Sequence, residues 1–101
     1  MSISITKAGL QVLLRAFHTT TTIGLVQAFL EVADKPGQTV GEIADRIGVL
    51  RAVASRLLAD LSDTSRHGAE GYGFIRQTRE GPLVRNWMTL KGVSLAGKLA
   101  T

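Results

Sequence analysis

With 101 residues, a formal net charge of +4, 45% hydrophobic content and no cysteine, the chain has the size and composition of one folded domain, which excludes disorder, a disulfide framework and thiolate metal ligation. No run approaches the roughly 20 apolar residues of a membrane span, and Met1 to Thr6 lacks a basic segment leading into an apolar one, so a cytoplasmic protein is expected. Residues 1–45 hold three basic side chains against four acidic ones, whereas residues 46–101 hold nine against four; a basic half of this kind points to a polyanionic partner.

Lys7 to Phe17 reads as a helix, because Leu10, Leu13, Leu14 and Phe17 recur at helical spacing with Arg15 off that stripe. The run Thr19 to Thr22 breaks it, since β-branched hydroxyl residues favour caps and turns. Thr21 or Thr22 can cap a second helix, Ile23 to Ala33, with Leu25, Val26, Phe29 and Leu30 inside; Lys35-Pro36-Gly37 ends it. Thr39 and Glu42 form a T-x-x-E capping box in front of Ile43, Ala44 and Ile47. That third helix stops at Gly48, and a fourth runs from Arg51 to Leu61. Its expected inner side is Leu50, Val53, Ala54, Leu57 and Leu61, and its outer side Arg51, Ala52, Ser55, Arg56 and Ala59.

The polar segment Ser62 to Gly71 is a loop. Strands are expected over Tyr72 to Thr78 and Leu83 to Met88, with Arg79-Glu80-Gly81-Pro82 as the hairpin tip. Thr89 can cap a last helix, Leu90 to Ala100, with Leu90, Val93, Ala96 and Leu99 on its inner stripe. Gly92 and Gly97 weaken that helix by about 1 kcal/mol each. Ile3, Ile5, Val12 and Leu95 fall outside these stripes and widen the apolar faces of the terminal helices.

The segment from Thr39 to Leu58 resembles the helix-turn-helix of bacterial transcription regulators. Ala44 is small where the second helix of the motif crosses the first, and Gly48 stands at the turn, where positive φ carries no steric cost for glycine. Ile43, Ile47, Val49, Ala54 and Leu57 are placed to fill the wedge between the helices. The following hairpin, with Thr89-Leu90-Lys91-Gly92 closing it, resembles the wing and next helix of MarR-type regulators; together the likeness covers residues 22–100. The chain departs from that pattern in the long loop Ser62 to Gly71 and in Leu50, which stands where a Ser or Thr cap is common. The loop is expected either to reposition the wing or to reach DNA through Arg66 and His67.

The expected fold is therefore mainly α with a small β-hairpin, a winged helix-turn-helix forming one domain over 1–101. Its parts are an N-terminal helix within 1–18, a helical core over 22–61 that holds the motif at 39–61, a wing over 72–89 and a C-terminal helix over 90–101. The resemblance implies binding of double-stranded DNA. Arg51, Ala52, Ser55 and Arg56 of the recognition helix would meet base edges, since arginine donates in pairs to guanine and small residues allow close approach. Thr39 at the helix start and Arg76, Arg79 and Arg85 of the wing would hold the backbone or minor groove. In such proteins the terminal helices form a homodimer, which sets two recognition helices about one DNA turn apart.

The rival chemistries fare worse. Trp87 and Phe74 read as core residues, and His18 and His67 are far apart without cysteine partners. Ser55 has no nearby histidine to activate it, the carboxylates are dispersed, and no phosphate-binding glycine loop is present. No enzyme activity, metal or cofactor is expected. The favoured expectation is a homodimeric, sequence-specific transcriptional regulator. The alternatives are a replication, partition or packaging DNA-binding protein of a phage or plasmid, and a winged-helix module that binds another protein.

Overall fold

The computed structural model describes residues 7–17, 23–63 and 71–99. The element order is α1 (Lys7–Phe17), α2 (Ile23–Asp34), α3 (Val40–Ile47), α4 (Arg51–Leu61), β1 (Ile75–Glu80), β2 (Leu83–Met88) and α5 (Leu90–Leu99). The expected threonine caps at 21 and 22, Ile3, Ile5, His18, Arg66 and His67 lie outside the described residues, as do the side chains of the stripe Leu10, Leu13, Leu14 and Phe17.

The helical core follows the patterns in the sequence. Leu25, Ala28, Phe29 and Val32 of α2 are buried against Val40, Ile43 and Ala44 of α3 and Ala54, Leu58 and Leu61 of α4. The capping box at the start of α3 is complete. The Thr39 hydroxyl accepts the Glu42 amide at 3.2 Å, and the Glu42 carboxylate accepts the Thr39 amide at 2.9 Å. Gly48 closes α3 in the left-handed region (φ 76°) and donates its N–H to the Ala44 carbonyl, the conformation glycine adopts without Cβ strain.

Three patterns differ from expectation. In α4 the inner row is Ala54, Leu58 and Leu61, at i, i+4 and i+7, with Val53 and Leu57 half-buried and Leu50 76% exposed. Leu50 lies outside the helix in extended geometry, so helical angular spacing does not apply to it. In α5 the buried row is Gly92, Leu95 and Leu99, while Leu90 and Val93 are 90% and 55% exposed. The cause is Gly92. A Cβ there would stand 2.0 Å from the Phe74 carbonyl oxygen, so the helix backbone itself packs against the chain and turns the row containing Leu95 inward. Thr89 caps α5 as expected, its hydroxyl accepting the Gly92 amide at 3.0 Å.

The third difference is the hairpin. β1 begins at Ile75 and runs on to Glu80, so the tip shrinks to Gly81-Pro82. Positive φ at Gly81 (58°) is what the first position of a two-residue type II′ loop requires. The segment before β1 is used differently. Gly71, Tyr72, Gly73 and Phe74 donate their amides to the carbonyls of Asp63, Asp60, Ser62 and Leu61 at 2.8–3.0 Å. The ends of the 64–70 segment are thereby joined at the foot of α4, which leaves the hairpin seated on the core by Phe74 and Ile75.

Candidate nucleic-acid interface

The α3–α4 pair and the hairpin are fixed relative to each other by one strip of backbone. Residues Gly37 to Thr39 run beside β2: Gly37 donates to the Asn86 carbonyl at 2.8 Å, Asn86 donates to the Gln38 carbonyl at 3.0 Å, and Thr39 forms an antiparallel bridge with Arg85. Side chains reinforce the strip. Asn86, fully buried, donates Nδ2 to the Gln38 carbonyl at 3.1 Å and accepts Gln77 Nε2 at 2.9 Å. Gln38 in turn donates to the carbonyls of Glu31 and Lys35 at 3.1 Å, closing the end of α2. Sequence reasoning overlooked Gln38, Gln77 and Asn86. The available signal was a pair of amides at alternate, inward positions of two strands.

On this frame α4 has two unlike faces. Ala54, Leu58 and Leu61 are buried, whereas Arg51, Ala52, Ser55 and Arg56 are all exposed, and none of these four is a carboxylate. Ala59 and Asp60 lie half-buried at the edge of that face. Gly41 in the first turn of α3 leaves room for Arg51, whose guanidinium atoms lie 3.6–3.7 Å from where a Cβ would stand. Arg46, at the end of α3, is committed elsewhere, in an ion pair with Glu31. Thr39 is half-buried and its hydroxyl serves the helix cap. The Thr39 amide and hydroxyl hold the Glu42 carboxyl below the usual carboxylate range, with Arg85 and Lys35 adding a smaller pull in the same direction.

The hairpin arginines do not act as one set. In the register, Arg76 faces Trp87, Thr78 faces Arg85 and Arg79 faces Val84. Directly opposed residues share a face and neighbours alternate, so Arg76 and Arg85 lie on one side of the hairpin and Arg79 on the other. Arg76 and Arg79 are exposed. Arg85 turns back on the chain, donating Nε to Glu80 at 2.9 Å and Nη1 to the Gly37 carbonyl at 2.9 Å. Trp87 donates its indole N–H to the Thr78 hydroxyl at 2.9 Å and packs on Gly37. Phe74 stacks with Tyr72 and meets Phe29 edge-on; both Trp87 and Phe74 are thus engaged within the fold. A separate open cleft of about 560 Å³ lies between α1 and α5, lined by Val12, Phe74 and Leu95 together with Arg15, Lys91 and Lys98. Among the described residues no helix is long and apolar enough to cross a membrane, and no group of three acidic or histidine side chains is placed to hold a metal ion.

No known family model and no curated protein matches the sequence. Solved structures do. The fold resembles that of the transcriptional regulator Tm0710 from Thermotoga maritima, with a TM-score of 0.70 and 19% identity over 91% of this chain and 59% of that one. It also resembles the MarR family transcription regulator SP03579, at 0.67 and 21% over 93% and 57%. A third is the PcaV transcriptional regulator from Streptomyces coelicolor, solved with its natural ligand, at 0.62 and 16% over 89% and 63%. The chain therefore has the winged-helix fold found in MarR-type regulators, and it spans about three-fifths of their length.

Proposed function

We propose that the chain is a sequence-specific, double-stranded DNA-binding regulator of transcription that acts as a homodimer. The observation that carries this reading is the division of α4. One face is fully buried, and the other offers Arg51, Ala52, Ser55 and Arg56 to solvent beside a basic hairpin. In the major groove Arg51 and Arg56 donate to guanine or phosphate, while Ala52 and Ser55 let the helix approach base edges. Arg76 and Arg79, on opposite faces of the wing, bracket the backbone or the minor groove. Arg85 ties the wing to the start of α3 and sets where those two arginines lie; Thr39 orients the α3 terminus toward the backbone.

Dimerisation through the terminal helices is supported by Leu90 and Val93, which α5 leaves exposed on its outer side. A dimer favours a palindromic site with half-sites about one helical turn apart. The role places the protein in the cytoplasm and requires neither catalysis nor a cofactor. Selection of bound sequences from a random duplex pool at about physiological salt tests it. An enriched palindrome is the expected result. Binding without enrichment replaces the reading with a packaging or architectural role, and failure to bind any duplex replaces it with a protein-binding role.

A further inference from the structure

Leu50 is the N-cap of α4, with φ −66° and ψ 149°, and makes no side-chain hydrogen bond to the helix. Its side chain is 76% exposed. Two local costs coincide here. The first-turn amides of α4 lack the oxygen acceptor that Ser, Thr, Asn or Asp supplies at an N-cap, and a large apolar group stands in water. Among the described residues Leu50 is neither in the buried core nor packed against it, and its side chain makes no hydrogen bond that caps the helix. Only its backbone is used, the carbonyl accepting the Ala54 amide at 3.0 Å. When local rules fail inside an otherwise consistent element, a functional cause is the first expectation.

The place of the residue says which cause. Leu50, Arg51 and Ala52 are successive exposed residues at the leading end of α4, and the N-terminal residues of a recognition helix are the ones that meet base edges. Arg51 lies toward Gly41 of α3, and Leu50 is the large apolar side chain exposed at that end, at 76%. Among the groups that the four base pairs present in the major groove, the 5-methyl of thymine is the apolar one.

We propose that Leu50 is a specificity-determining residue that reads thymine, its isobutyl group packing against a 5-methyl in the major groove. The inference rests on the DNA-binding reading above and adds to it the base that the cap position selects.

The test uses the full chain, the duplex enriched from the random pool, and copies in which each thymine in turn, with its symmetry mate, becomes deoxyuridine. This exchange removes the methyl group alone. At one position the exchange is expected to weaken the wild type by about fourfold, the scale of one buried methyl-sized group. Leu50→Ala is expected to lose a similar factor on the thymine duplex and to show no further loss on the deoxyuridine duplex, while Arg56→Ala keeps the deoxyuridine effect. The inference is overturned if no thymine is sensitive in the wild type. It is equally overturned if Leu50→Ala, folded by circular dichroism, keeps wild-type affinity or the wild-type deoxyuridine profile. Those results leave the DNA-binding reading standing; a wild type that binds no duplex removes both.

Discussion

Asn86 on β2 and Gln38 ahead of α3 are 48 residues apart in sequence, yet the buried Asn86 amide donates to the Gln38 carbonyl at 3.1 Å. With the Asn86 backbone amide on the same carbonyl, this contact fixes the wing against the helix-turn-helix. Truncating it leaves Gln77 Nε2 without its acceptor in a half-buried place. Asn86→Ala is expected to lower stability by about 1–3 kcal/mol, the cost of an unmade buried hydrogen bond, as a shift in the urea midpoint at unchanged slope. An unchanged midpoint contradicts the structural role.

The capping box makes a linked prediction about stability and titration. Thr39→Ala removes the acceptor for the Glu42 amide and is expected to cost about 0.5–2 kcal/mol. In the folded wild type Glu42 titrates below its ordinary value, chiefly because Thr39 bonds its charged form. A carboxyl depressed on folding stabilises above its unfolded pKa, and the contribution is lost as pH falls through the folded pKa. Alanine keeps the backbone amide, the larger cause, and loses only the hydroxyl. In Thr39→Ala the Glu42 pKa is therefore expected to rise only part of the way toward its ordinary value by nuclear magnetic resonance titration, with a correspondingly partial flattening of the acid side of the stability profile.

Two glycines of one helix are expected to respond with opposite sign. At Gly92 an added Cβ meets the Phe74 carbonyl at 2.0 Å, whereas at Gly97 it meets nothing within 4 Å. Gly97→Ala is therefore expected to raise stability by about 0.5–1 kcal/mol, since alanine is the better helix former. Gly92→Ala is expected to lower it, because α5 must move off the core. Thermal melts of the two variants side by side decide the matter; equal shifts contradict the packing described for α5.

Leu50→Ser restores the oxygen that the N-cap lacks. A gain of about 0.5–2 kcal/mol is expected in the free protein, with loss of the thymine discrimination assigned to Leu50. A variant that is more stable and less selective identifies a position where stability gives way to function.

The sequence made the helical core legible because its signals are local. The capping box at Thr39 and Glu42, the glycine at 48 and the bounds of α4 from Arg51 to Leu61 need only neighbouring residues to be read. Where a distant contact decides, the sequence alone misled. The inner face of α5 turns on the approach of Gly92 to Phe74. Leu50 looked like an inner residue because helical spacing was extended one position past the helix start. The exposed row of α4 was legible for the converse reason: it is what remains when the apolar row is satisfied.

The central claim is that this exposed row enters the major groove. Ser55 stands in its middle, exposed and with no bonded role in the fold among those described. The most direct measurement is the affinity of Ser55→Glu for the selected duplex at about physiological salt, by fluorescence anisotropy, with circular dichroism to confirm an unchanged fold. A carboxylate placed between Arg51 and Arg56 opposes the phosphates and fills the gap at the base edges. A loss of at least about tenfold is predicted, with the folded state intact. Wild-type affinity in a folded Ser55→Glu variant contradicts the account, because a helix face that tolerates that change is not the one that meets DNA.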